Sequence, residues 1–105
     1  MFDEKFDKAI IADVLNRFLN QFDIADDANT WFEKVKEITT EMGFTTDMKA
    51  YKADPDAFPG TVADISTFVR QAVTGKTNSP DLYTVMQILG KDRTVARIQA
   101  VLNTL

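Results

Sequence analysis

Neither cysteine nor histidine occurs anywhere in the 105 residues. Without cysteine there are no disulfides, no thiolate metal sites and no thiol nucleophile. Without histidine the commonest general base and the commonest metal ligand are both missing. Glycine is scarce too. The four present, at 43, 60, 75 and 90, stand alone, so there is no glycine-rich loop to cradle a phosphate. No apolar run approaches the roughly 18 residues of a membrane span. The start, Met1-Phe2-Asp3-Glu4-Lys5, lacks the basic stretch and apolar core of a signal peptide. These absences point to a cytoplasmic chain with no membrane partner, no metal and no ordinary catalytic machinery.

What is present reads as a soluble globular protein. Hydrophobic residues make up 45% and charged residues 27%, which excludes wholesale disorder. A chain of this length holds one compact domain or two very small helical subdomains, and buries about two-thirds of its unfolded surface. The net charge of −4 argues against a strong autonomous nucleic-acid binder, since phosphates are neutralised by clustered Lys and Arg. The charge is uneven, however. Residues 1–54 hold seven basic and twelve acidic side chains, whereas residues 55–105 hold five and four. Any anion site therefore belongs in the second half.

Helical spacing dominates the chain. Phe2, Phe6, Ile10, Val14, Phe18 and Phe22 recur every four residues, with Ile11, Leu15 and Leu19 beside them, which predicts a long amphipathic first helix. Its polar side carries Asp3, Glu4, Asp7, Lys8, Asp13 and Arg17, with acids toward the N-terminal turn. After the acidic connector at Asp23–Asp27, Thr30 with Glu33 forms a capping-box pattern for a second helix, which Gly43 ends. Thr45–Tyr51 suits a short helical turn, and the prolines at 55 and 59 mark an irregular loop. Thr61 with Asp64 caps a further helix that Gly75 closes. Ser79 at the N-cap and Pro80 at the first helical position then open another, with Leu82, Val85, Met86 and Leu89 inward, and Gly90 ends it. A last helix starts near Asp92. No strand-like alternation and no fixed repeat period are visible. The fold class is all-α, a bundle of about five to six helices.

Most chemical motifs dissolve on inspection. Asp3, Glu4, Asp7, Asp26 and Asp27 read as solvated faces or caps, and the phenylalanines and tyrosines fall at core spacing. One segment stands apart. Arg70 rides the end of one helix, Lys76 and Asn78 lie in the polar turn that follows, and the helix opening at Ser79 offers free backbone N–H groups. A well-capped helix hairpin with a chance arginine explains the same residues, and residue chemistry alone favours that plainer reading.

The runs Arg70-Gln71-Ala72-Val73-Thr74-Gly75, Ser79-Pro80-Asp81-Leu82, Leu89-Gly90-Lys91-Asp92-Arg93 and Arg97-Ile98 resemble the C-terminal end of bacterial glutamyl-tRNA synthetases. Trp31-Phe32-Glu33-Lys34 through Met42-Gly43-Phe44, and the stretch from Tyr51 to Asp64, are similar as well. The likeness covers about residues 30–103, while residues 1–29 match the family poorly. It implies an N-terminal amphipathic helix over 1–29, either the tail of a preceding helical subdomain or a helix peculiar to this chain. An anticodon-binding-like helical domain would follow over 30–105.

The resemblance further implies recognition of a glutamate-type tRNA anticodon loop. Arg70 would stack on or hydrogen-bond a base, Ser79 and the backbone around Pro80 would contact its edge, and Leu82 would form an apolar wall. Lys76 and Asn78 join them by position alone. Splayed single-stranded bases are commonly read by such arginine planes and loop groups. The synthetase's histidine-containing nucleotide motif is absent, so ATP and Mg would bind a catalytic domain lying outside this chain, which would be its second partner. The alternative is a free-standing protein-interaction module that docks partners through its acidic first helix.

Overall fold

The computed structural model describes residues 6–76 and 81–105. Among these described residues six α-helices follow in order: α1 Lys8–Gln21, α2 Ala28–Glu41, α3 Met48–Ala53, α4 Val62–Thr74, α5 Leu82–Leu89 and α6 Lys91–Leu102. A 3-10 turn, Pro55–Ala57, separates α3 from α4. The all-α expectation is met. Among the described residues the one β-type pairing is an isolated parallel bridge between Thr45 and Thr61.

The first helix is shorter than its apolar spacing suggests. Asp7 caps it, its carboxylate accepting from the Ala9 N–H at 2.9 Å. Aspartate competes for backbone donors in just this way, which is why it starts helices rather than continuing them. Phe6 therefore precedes the helix, yet its ring is buried edge-on against Phe68, 4.9 Å between centroids. Phe2, Asp3 and Glu4 lie outside the described residues.

The second helix also starts elsewhere than expected. Its cap is Asp27, whose carboxylate accepts from the Thr30 N–H at 2.8 Å, so Thr30 lies within the first turn instead of capping it. That bond, with help from the Thr30 hydroxyl, holds the Asp27 carboxyl below its ordinary value. At α4 the expected pair is found: Asp64 accepts from the Thr61 N–H at 2.9 Å in a capping box.

One apolar core unites the helices. Ile11, Val14, Leu15 and Phe18 enter from α1, and Trp31, Val35 and Ile38 from α2. Ile65, Phe68, Val69 and Val73 come from α4, Leu82 and Met86 from α5, and Ile98 from α6. By contrast, α3 buries nothing. It belongs to an excursion closed at its base by Thr45 N–H to Gly60 O (3.1 Å) and Val62 N–H to Thr45 O (2.9 Å).

The acidic connector is tied down from both sides. Lys34 Nζ donates to Gln21 O and to Asp26, while the Tyr83 hydroxyl donates to Asp26 O at 2.8 Å and Gln87 Nε2 to Ile24 O at 3.0 Å. The apolar face of α1 and the connector after it are thus packed against the rest of the molecule. An α1 whose apolar face is already covered offers a partner only its polar side, which weighs against docking through the first helix.

Candidate nucleic-acid interface

The junction between α4 and α5 is built from the end of one well-capped helix. Gly75 closes α4 at φ +74°, a left-handed conformation that costs glycine nothing, and its N–H donates to Gln71 O at 2.8 Å. Thr74 adds a second clasp. Its hydroxyl lies 2.7 Å from Arg70 O, to which it donates, and accepts from the Lys76 N–H at 3.1 Å. One threonine side chain therefore links the backbone of the two cationic residues that the sequence singles out here.

A third clasp comes from across the fold. Arg97 Nη1, on α6, donates to Val73 O at 2.8 Å. A guanidinium at a helix C-terminus satisfies a carbonyl that has no partner within the helix and meets the negative end of the dipole. Neither role was assigned from the sequence, where Arg97 is only one element of a family resemblance. A threonine just before a helix-ending glycine is a recognisable local signal for the Thr74 clasp. Arg97 carries no such signal, because its acceptor sits on another helix.

The candidate residues fall into distinct places. Arg70 is half-buried on the last turns of α4, and Lys76 is exposed in the turn. Leu82 is 2% exposed, so its side chain belongs to the core and gives the junction its shape without offering a surface. Asn78, Ser79 and Pro80 lie outside the described residues. The described part of α5 begins at Leu82 with Asp81 as its cap, later than a start at Pro80. The Asp81 carboxylate accepts from the Thr84 N–H at 3.3 Å and the Thr84 hydroxyl at 3.0 Å.

Charge separates across the molecule. Among the described residues the ion pairs join Arg17 to Asp13 and Glu41, Lys34 to Asp26, and Lys36 to Glu33. Lys76, Lys91 and Arg93 in the second half enter no ion pair among the described residues, and neither do Lys8, Lys49 and Lys52 in the first, while the Arg97 guanidinium is engaged by the Val73 carbonyl. An open hollow of about 390 Å³ on α2 shows the opposite polarity, being lined by Glu33, Glu37 and Glu41 with Lys36. Phosphates would be drawn to the α4–α6 side and repelled from α2.

Residues 60–102, from the base of the excursion through α6, match the anticodon binding domain family. The chain is 43% identical over 89 residues to a glutamate–tRNA ligase of Acetivibrio thermocellus, across 85% of this chain and 16% of that protein. It is 45% identical over 85 residues to the glutamate–tRNA ligase of Sorangium cellulosum, across 81% of this chain and 15% of that one. With the glutamate–tRNA ligase of Clostridium perfringens the identity is 37% over 111 residues, taking in 92% of this chain and 20% of the relative. That share exceeds what residues 30–105 supply, so the likeness extends into the first 29 residues, beyond the limit set by motif reading. No solved structure matches the chain. The chain spans at most about a fifth of the length of these curated relatives. It belongs to the glutamate–tRNA ligase family, matching the C-terminal, anticodon-binding portion of those proteins.

Proposed function

We propose that this chain recognises the anticodon loop of a glutamate-type tRNA, as the non-catalytic C-terminal part of a glutamate–tRNA ligase. One coincidence carries the reading. The stretch matching the anticodon binding domain family also holds Lys76, Lys91 and Arg93, none of which enters an ion pair among the described residues. In this reading Arg70 stacks on or hydrogen-bonds an unstacked base, and Lys76 supplies charge beside it. Asn78, Ser79 and the backbone around Pro80 contact base edges, while Leu82 holds the junction's shape from within the core. ATP and Mg would be handled by the ligase's catalytic part, a partner outside this chain. The role is a cytoplasmic one, and no helix among the described residues is long and apolar enough to cross a membrane.

The test is a residue-by-residue NMR titration of the chain with an anticodon stem-loop at low salt, repeated with a scrambled loop. Shifts centred on Arg70 to Leu82 and diminished by scrambling are expected. Arg70→Ala should weaken binding by about 1–3 kcal/mol, the range for removing a stacking side chain. Equal affinity for both loops, or an unaffected Arg70→Ala variant, would refute the assignment.

A further inference from the structure

We infer that Arg97 is a positioning residue for anticodon discrimination, acting through the end of α4 without touching the RNA. The inference rests on the functional reading above and goes beyond it, because Arg97 lies a helix away from the junction residues. Its Nη1 donates to Val73 O at 2.8 Å, one residue before Thr74, whose hydroxyl joins Arg70 O to the Lys76 N–H. The base of Arg97 is firm. The neighbouring residues Thr94 and Ile98 are fully buried, and α6 follows α5 across the single residue Gly90. Arg97 therefore fixes the last turn of α4 to the same rigid pair of helices from which α5 starts.

The geometry sets what each end of the junction can do. Lys76 stands directly after the α4 end, while α5 begins at Leu82, buried in the core. Reading a base edge requires donors and acceptors held to within about 0.5 Å by supporting groups. Attraction to phosphate charge tolerates far more movement, because it is long-ranged and carries no sequence information. Loss of the Arg97 bond frees the Val73 carbonyl to water and lets the final turn fray. The Lys76 charge remains, but its position relative to α5 does not. Selectivity falls before general affinity.

The experiment compares the wild-type chain with Arg97→Met and Arg97→Lys. Each is titrated by NMR with the anticodon stem-loop and with the scrambled loop, at several salt concentrations. For Arg97→Met, cognate affinity is expected to fall about tenfold, the scale of one hydrogen bond from a charged group. Scrambled-loop affinity and the salt dependence should stay near wild type. Arg97→Lys, which keeps a cationic donor, should recover most of the loss. In the RNA-free Arg97→Met chain, the Gly75 amide should lose hydrogen-exchange protection while Ile65 and Phe68 keep theirs. That readout separates local fraying from unfolding.

Three results would overturn the proposal. Wild-type discrimination in Arg97→Met would do so. So would an equal loss for both loops with the salt slope reduced by about one, the mark of a direct phosphate contact. Collapse of Arg97→Met together with loss of Ile65 and Phe68 protection, unrescued by Arg97→Lys, would make the residue merely structural. If the wild-type chain shows no loop preference, the anticodon reading itself fails and this inference with it. A preference retained in wild type and in Arg97→Met defeats the positioning role alone.

Discussion

Gly60 accepts a hydrogen bond from the Thr45 N–H at 3.1 Å, and a Cβ on it would stand 2.5 Å from Asp64 Oδ2 and 2.9 Å from a ring carbon of Phe44. Neither neighbour can retreat. Asp64 is held by the Thr61 N–H in the cap of α4, and Phe44 is 4% exposed in the core. Gly60→Ala is therefore expected to destabilise the protein by about 1–3 kcal/mol, the usual cost of overpacking. Urea unfolding with an unchanged midpoint would contradict this. From the sequence Gly60 reads only as part of a proline-containing loop. Its need for the smallest residue comes from the Asp64 carboxylate in the cap of α4 and from a phenylalanine ring earlier in the chain that folding brings alongside. Leu82 shows the reverse case: helical spacing alone marks it as inward, and the structure buries it.

At the scale of the helix, the caps decide where each element begins, and neighbouring candidates compete. Asp27 lies three residues ahead of Thr30 and captures its N–H, which moves the start of α2 upstream of the Thr30–Glu33 pattern. Thr61 with Asp64 has no such rival, because Pro59 and Gly60 precede it, and that cap is legible from sequence. The Asp27 cap also has a pH signature. Hydrogen bonding from the Thr30 N–H, then from its hydroxyl, lowers the folded-state pKa, so the unfolded chain holds the proton more readily. The resulting stabilisation is complete above the unfolded value near 3.9 and is lost as pH falls through the folded value. The Tm difference between wild type and Asp27→Ala should be widest near neutrality and narrow below about pH 4. A difference independent of pH between about 7 and 2 would show that the carboxylate is not the cap.

For the molecule as a whole, α1 is the decisive element. Ile11, Val14, Leu15 and Phe18 are each at most 2% exposed, in the same core as α2, α4, α5 and α6. Burying four such side chains contributes on the order of 10 kcal/mol, comparable with the entire net stability of about 5–15 kcal/mol for a typical domain. A chain beginning at residue 28 is therefore expected to lose cooperative thermal unfolding. A sharp transition in that shortened protein would mean that residues 30–105 form a unit of their own. The connector reinforces the expectation, since Tyr83 and Gln87 of α5 both donate to its carbonyls.

Local patterns carried much of this protein in plain view. Apolar residues at intervals of three and four, a Thr–Asp pair and glycines after apolar stretches declare helices and their ends, because helical hydrogen bonds join residues only four apart. Helix class followed from them, and charge with family likeness singled out the α4–α5 junction as the candidate site. Contacts between distant residues did not. Arg97 meets Val73 O across 24 positions, and the Tyr83 hydroxyl reaches Asp26 O across 57. Such pairings depend on how helices cross and how far each is turned about its axis, quantities set by packing of the whole core rather than by any short run of residues.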